Sequence, residues 1–190
     1  MEISHVLRGD EWITSTPKHI LLYRALGWDM PEFAHLPVIL AEGGGKLSKR
    51  KGAASVMDFA REGFLAEALV NFLSLLGWAP GDDRELMTKD EIKELFSLDK
   101  VSPKPSVFDR KKLEWMNHNY MEHVAAEDIL DRVIELCKKR GYFESADQFE
   151  EDFLLNVLSL TKGRAKTLNE LADSIAYFFM DPEEYDPKAA

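Results

Sequence analysis

Residues 37–51 read PVILAEGGGKLSKRK, a short apolar run followed by three glycines and a dense group of cations. The apolar and β-branched residues 37–41 predict a strand that leads directly into a glycine turn. Glycines allow close approach to a ligand, and Lys46 and Lys49, with the Ser48 hydroxyl between them, can converge on phosphate oxygens. The alternative is a solvated basic surface loop. The order of residues does not match a Walker loop.

A second strand and a series of helices account for the rest of the chain. Residues 3–8 predict a strand. Thr16 and Pro17 predict the start of a helix that Gly27 ends, and its apolar positions predict one packed side. Further helices are predicted at residues 56–62, 65–76, 88–96, 109–118, 126–140, 146–160 and 165–178. The predicted fold class is therefore mainly α with a small β element.

The predicted strand at residues 3–8 has no strand before it in the chain. A lone strand needs a partner, so we expect the chain to be cut from a longer protein. Such a cut would expose the sheet edge beside this strand, and unpaired edges tend to associate. The sequence therefore predicts association that increases with protein concentration.

The composition is ordinary for a globular protein. Of the 190 residues, 45% are hydrophobic and 31% charged, which excludes wholesale disorder. Apolar runs are far shorter than the roughly 20 residues of a membrane helix, and the N-terminus does not resemble a signal peptide. No membrane partner is expected. The single cysteine, Cys137, excludes an internal disulfide and a Cys-rich zinc site and favours a reducing cytoplasm. No structural metal is expected.

The formal charge of −10 is unevenly distributed. Residues 1–54 carry 7 basic and 6 acidic side chains, whereas residues 126–190 carry 8 basic and 15 acidic ones. The net charge argues against nonspecific binding to a polyanion, and no DNA partner is expected. A local phosphate site remains open, because four cations fall within residues 46–51.

Several motifs occur in the order known from one enzyme family. The segment KLSKR resembles the KMSKS signature of class I aminoacyl-tRNA synthetases, and the segments around it support this likeness. In chain order, the matching segments, with KLSKR included, are HVLRGDEW at 5–12, LYRALGW at 22–28, KLSKR at 46–50, EGFLAEALVNFL at 62–73 and FDRKKLEWMN at 108–117. Together they resemble the bacterial-type glutamyl-tRNA synthetases over nearly the whole chain, more weakly after about residue 125.

The resemblance implies three parts. Residues 1–54 would be the C-terminal remnant of the Rossmann-type catalytic domain with the KLSKR loop. Residues 55–125 would be a helical stem-contact fold, and residues 126–190 the first part of a helical anticodon-binding domain. None of the five histidines opens the HIGH motif, the second signature of the class. We therefore expect an internal or C-terminal fragment that lacks the HIGH half and is inactive alone.

The implied function is that of a glutamate–tRNA ligase, which activates glutamate with ATP and Mg²⁺ and transfers it to the 3′ end of tRNA(Glu) in protein biosynthesis. Two alternatives stay open. The chain could be a standalone tRNA-binding module without catalysis. It could also be a relative of glutaminyl-tRNA synthetase, although the anticodon region there is a β-barrel, whereas residues 126–178 are predicted to be helical here.

Residues that match the family's motifs give the candidate sites. Lys46, Ser48 and Lys49 are the catalytic candidates. Arg8 is the glutamate-binding candidate, because a guanidinium binds a carboxylate as a fork. The candidates for ATP binding are Glu11, Trp12, Val38, Ile39, Lys49 and Arg50. Simple packing is the alternative for Trp12 and for the strand residues.

Basic residues in the second part are candidates for tRNA contacts, since phosphate contacts position RNA without reading its sequence. They are Arg61, Lys104, Arg110, Lys111 and Lys112. The alternative for each is an ordinary solvated side chain.

Overall fold

The computed structural model describes residues 2–47 and 55–181. Two compact units divide the chain. The first comprises Met1–Ala53, Ser74–Glu85 and Asp90–Asp109, and the second comprises Ala54–Leu73, Leu86–Lys89 and Arg110–Ala190. Each unit is therefore assembled from separate stretches of sequence.

Short parallel strands form the first unit's sheets. Strand β1 (His5–Gly9) pairs in parallel with β2 (Glu32–Leu36). Parallel neighbours need a crossover connection, which here consists of a 3-10 turn, Asp10–Ser15, and helix α1 (Thr16–Leu26). A second parallel pair joins β3 (Ile39–Leu40) to β4 (Ser106–Val107).

The strands differ from their predictions in two ways. Strand β2 is not predicted, because its sequence EFAHL contains no β-branched residue. The strand predicted at residues 37–41 shrinks to Ile39–Leu40, consistent with Pro37, which has no N–H to donate to a ladder. The N-terminal strand β1 therefore finds its partner later in the same chain, in a strand that the sequence does not predict.

Helix α1 has the predicted ends but not the predicted packing. Pro17 lies in its first turn, and Gly27 ends it with φ 66°, a left-handed conformation that suits glycine. The prediction of one packed side is wrong for the described residues, because α1 contains no buried residue. Leu21 is 63% exposed. Within the part of the chain that the structure describes, the apolar side of α1 is mostly exposed, and Ile20 and Tyr23 are partly buried.

Helices make up most of the remaining chain, which confirms the mainly α fold class. They are α2 (Val56–Arg61), α3 (Ala66–Ser74), α4 (Lys89–Leu95), α5 (Arg110–His123), α6 (Ala126–Arg140), α7 (Glu151–Thr161) and α8 (Leu168–Ser174). Single 3-10 turns lie at Leu98–Lys100, Ala146–Gln148, Lys162–Arg164 and Ala176–Phe178.

One hydrophobic core organises the second unit. Ile129, Val133 and Cys137 recur on one side of α6 and are buried against residues of α3, α7 and α8. Burying a side chain of the size of Ile or Val contributes about 1.5–3 kcal/mol. Gly141 ends α6 with φ 77°, as its sequence predicts.

Helix α5 runs to His123, five residues beyond the predicted end at His118. Two asparagines near the predicted end are hydrogen-bonded within the fold. Asn117 is fully buried, where its Oδ1 accepts from the Leu65 amide at 2.8 Å and its Nδ2 donates to the Lys166 carbonyl at 2.5 Å. Asn119 donates back to the Trp115 carbonyl within the helix. Tertiary contacts therefore hold the side chain of Asn117 while its backbone stays within α5.

Candidate functional site

A glycine turn returns the chain beside β3. Gly44 and Gly45 have φ of 80° and 78°, a conformation that costs other residues about 1–2 kcal/mol. The Ala41 amide donates to the Gly45 carbonyl at 3.0 Å, and the Leu47 amide donates to the Ile39 carbonyl at 2.8 Å. These bonds place Lys46 opposite Leu40. The turn thus fixes the backbone position of the first lysine of KLSKR.

Lys46 contacts an acidic residue from the turn after β1. Its Nζ lies 2.7 Å from Glu11 Oε1, and both side chains are about half exposed. The hydrogen bond from Lys46 lowers the pKa of the Glu11 carboxyl below its usual value. Two of the predicted site residues, 35 positions apart, therefore meet in the first unit.

Arg8 is surrounded by neutral partners. Its Nε donates to His35 Nε2 at 3.1 Å, and its Nη2 donates to Thr16 Oγ1 at 2.6 Å. The guanidinium carbon lies 5.3 Å from the centre of the Phe33 ring. Within residues 2–47 and 55–181, no carboxylate forms an ion pair with Arg8. Its positive charge is therefore available to a ligand carboxylate.

The other candidates for ATP binding lie in the same unit. Trp12 is 54% exposed, and its carbonyl accepts from Ser15 Oγ at 2.8 Å. Val38 and Ile39 are partly buried, and Ile39 lies opposite Ser106 in the β3–β4 pair. Ser48, Lys49 and Arg50 lie outside the described residues. Lys46 is thus the one catalytic candidate whose contacts are known, and the assignment of this group as a site stays a prediction.

The five tRNA-contact candidates have different surroundings. Arg110 pairs with Glu62 and, at 3.4 Å, with Glu114, and the hydrogen bond that Arg110 donates to Glu62 raises the pKa of Arg110. Arg61 pairs with Asp58 at 2.8 Å. Lys104 and Lys111 are exposed, and Lys112 is partly buried. Arg61 and Arg110 would have to exchange their carboxylate partners for phosphate, and all five assignments stay predictions.

Sequence reasoning missed the residues that contact Arg8. The sequence predicts Thr16 only as the start of a helix, and His35 lies in a strand that the sequence does not predict. Parallel pairing places His35 directly opposite Arg8. The sequence signal for this contact is weak. His35 can be placed opposite Arg8 only if EFAHL is first recognised as a strand.

Two further features of the described residues bear on function. Residues 2–47 and 55–181 contain no group of three or more His, Cys, Asp or Glu side chains arranged to bind a metal ion. Within the same ranges, no helix has the length and apolar character needed to cross a membrane.

Comparison with known families identifies the class of protein. The family described as tRNA synthetases class I (E and Q), catalytic domain, matches residues 1–115, which is more than half of the chain. An anticodon binding domain matches residues 111–190. The chain belongs to the class I tRNA synthetase (E and Q) family.

Individual relatives point to one member of that family. The chain is 44% identical over 187 residues to a glutamate–tRNA ligase of Dehalococcoides mccartyi, a match covering 98% of the chain and 38% of the relative. It is 45% identical over 190 residues to a glutamate–tRNA ligase of Aquifex aeolicus, covering 97% and 39%. The chain thus spans about two fifths of the length of the curated relatives it matches.

Solved structures agree in fold. A glutamate tRNA ligase from Elizabethkingia meningosepticum, crystallised in complex with its amino acid, matches with a TM-score of 0.82 and 35% identity. A glutamate-tRNA synthetase from Elizabethkingia anophelis gives a TM-score of 0.83 at 35% identity. Both matches cover 100% of this chain, and 40% and 41% of the respective structures.

Proposed function

We propose that the chain is part of a glutamate–tRNA ligase. This enzyme activates glutamate with ATP, which yields glutamyl-adenylate and pyrophosphate, and then transfers the glutamyl group to the terminal ribose of tRNA(Glu). The observation that carries the proposal is the unneutralised guanidinium of Arg8. It occurs in a chain that aligns over 98% of its length with a glutamate–tRNA ligase.

Arg8 is the proposed contact for a carboxylate of glutamate. A guanidinium offers two parallel N–H donors that match the two carboxylate oxygens, a geometry that an amide cannot reproduce. Neutral partners occupy Nε and Nη2, so the charge is retained for the substrate. This arrangement favours glutamate over glutamine.

ATP is the proposed second substrate, and Mg²⁺ would arrive with it. Glu11, Trp12, Val38 and Ile39 would contact the nucleotide, together with Arg50. Lys46, Ser48 and Lys49 would stabilise the charge that develops on the phosphates during adenylation. Exposed ion pairs contribute little to stability, so Lys46 can leave Glu11 for a phosphate at small cost.

The proposed tRNA contacts lie in the later part of the chain. We assign residues 1–54 to the catalytic domain, residues 55–125 to a fold that contacts the stem, and residues 126–190 to the start of the anticodon-binding domain. Lys104, Lys111 and Lys112 would contact backbone phosphates, as would Arg61 and Arg110 after releasing their carboxylate partners. A role in protein biosynthesis implies the cytoplasm as the location.

The two alternatives make different predictions. A relative of glutaminyl-tRNA synthetase would carry a β-barrel in its anticodon region, whereas residues 126–181 contain three α-helices and no strand. This observation favours the glutamate enzyme. A standalone RNA-binding module would bind tRNA without responding to ATP or glutamate.

Titrating the 190-residue chain with tRNA(Glu), ATP and L-glutamate at two salt concentrations tests the proposal. We expect tRNA binding that weakens with salt, because phosphate contacts release counterions. We also expect no pyrophosphate exchange from the chain alone, because its sequence contains no HIGH signature. If the chain binds tRNA but does not respond to ATP or to glutamate, with or without an Arg8→Lys substitution, the RNA-binding module is favoured.

A further inference from the structure

Three elements of the first unit converge on the guanidinium of Arg8. The arginine lies on β1, His35 lies opposite it on β2, and Thr16 is the first residue of α1. Two of the guanidinium nitrogens, Nε and Nη2, donate to these two residues at 3.1 Å and 2.6 Å. Phe33, also on β2, lies 5.3 Å from the guanidinium carbon. The long, flexible side chain of Arg8 is therefore held by hydrogen bonds at two nitrogens and by the neighbouring Phe33 ring.

Both acceptors are neutral groups. A carboxylate at either position would orient the guanidinium equally well, but it would also neutralise the charge that a ligand carboxylate needs. No hydrogen bond or ion pair occupies Nη1 within the described ranges. The arrangement thus fixes the direction of the side chain and leaves both its charge and one of its edges for a ligand.

The hydrogen-bond pattern requires one form of His35. Its Nε2 accepts from Arg8 Nε, so that nitrogen carries a lone pair and the ring proton is on Nδ1. Thr16 Oγ1 lies 3.1 Å from the Trp12 carbonyl, to which the hydroxyl donates, and its oxygen remains free to accept from Arg8 Nη2. Arg8 Nε, Arg8 Nη2 and the Thr16 hydroxyl then each meet an acceptor.

We propose that Thr16 and His35 are positioning residues that orient the Arg8 guanidinium toward a ligand carboxylate. The inference rests on the proposed function, in which that ligand is glutamate. An oriented side chain loses less conformational freedom when it binds, so removing either acceptor should weaken binding even though neither residue needs to touch the ligand. We expect loss of one acceptor to weaken glutamate binding about tenfold.

Nitrogen-15 NMR of the full chain tests the orientation directly. The Arg8 Nε–Hε signal, identified by its loss in Arg8→Lys, should be sharp and slow to exchange with water. Thr16→Val and His35→Leu remove the acceptors and should move this signal toward that of free arginine. Thr16→Ser and His35→Gln retain an acceptor and should preserve it, and His19→Gln, on the exposed part of α1, is the matched control. Long-range histidine spectra should show the Nδ1–H form at His35.

A parallel titration with L-glutamate separates this inference from the proposed function. Weaker glutamate binding in Thr16→Val and His35→Leu, recovered in Thr16→Ser and His35→Gln, supports both. The positioning role is overturned if the Arg8 signal is unchanged in Thr16→Val and in His35→Leu while the backbone spectra of both variants stay native. If the Arg8 signal shifts in these variants but the chain binds no glutamate, the positioning role is supported and glutamate is rejected as the ligand.

Discussion

The backbone of Gly63 lies directly against the backbone of Asn169. A β carbon at Gly63 would stand 2.7 Å from the Asn169 amide nitrogen, and the Gly63 carbonyl accepts from the Leu168 amide at 2.9 Å. Gly63 also has φ 87°, which side chains rarely adopt. The end of the α2 segment and the start of α8 can therefore approach each other only when this residue is glycine.

Substituting Gly63→Ala should destabilise the chain by about 2 kcal/mol or more, because left-handed backbone strain is combined with contact against a backbone atom. Urea unfolding monitored by circular dichroism measures this. Gly43→Ala is the matched control, because nothing lies within 4 Å of its β-carbon position and its φ is not left-handed. Equal losses in the two variants would contradict the close-approach explanation.

Substituting Asn117→Leu should lower the free energy of unfolding by about 2–4 kcal/mol. The side chain is fully buried, and its loss leaves the Leu65 amide and the Lys166 carbonyl without that partner. Asn119→Leu is the control two residues away, because the side chain of Asn119 donates to the Trp115 carbonyl within α5 and is partly exposed. Comparable stability of the two variants would show that Asn117 is not a tertiary link.

The Lys46–Glu11 contact should be visible in a carboxyl titration. Because the hydrogen bond from Lys46 lowers the pKa of Glu11, the contact favours the folded chain above the usual glutamate pKa and is lost as pH falls through the lowered value. Lys46→Met should return the Glu11 pKa toward its usual value, as followed by carbon-13 NMR. Lys18→Met removes an exposed lysine elsewhere and should leave it unchanged.

The thiol of Cys137 should be unreactive in the folded chain. Cys137 is 1% exposed, and burial raises its pKa to about 11. Because the unfolded thiol ionises at lower pH, the free energy of unfolding should fall as pH rises above 9, by about 1.4 kcal/mol for each unit up to the folded pKa. Unfolding at pH 8 and pH 10 measures this slope, and Cys137→Val should lose it. A slope that persists in Cys137→Val would assign it to other groups.

Loss of exposed lysines should weaken tRNA binding without changing stability. Lys104→Ala with Lys111→Ala should reduce the dependence of log affinity on log salt by about one for each lysine that contacts a phosphate. Fluorescence anisotropy at several salt concentrations measures this. Lys93→Ala is the control, because Lys93 is an exposed lysine paired with Asp90. An equal effect of the control would indicate that tRNA binding is nonspecific.

Local signals predict helices well in this chain. Pro17 and Gly27 determine the two ends of α1, and Gly141 determines the end of α6, because cap preferences depend on a few adjacent residues. The partners of Asn117 in α5 lie more than 45 residues away, and no local pattern reveals them. Strand β2 is formed by pairing with β1 in spite of its weak β propensity.

Some features of the candidate site are likewise predictable from local sequence, and others depend on tertiary structure. Its residue types are readable because the KLSKR and HVLRGDEW motifs are contiguous in sequence. The Lys46–Glu11 contact and the His35 contact with Arg8 require a turn geometry and a strand register that arise only in the folded unit. Sequence therefore identifies the chemical groups, and tertiary structure determines their orientation.

The pairing of β3 with β4 has a consequence for synthesis on the ribosome. Sixty-seven residues separate Ile39 from its partner Ser106. At about 5–20 residues per second, β3 waits roughly 3–13 seconds before β4 has been translated. During that interval helices α2, α3 and α4 are translated, so the first unit closes only after part of the second has been made. The order of translation thus makes the first unit, which starts the chain, late to finish folding.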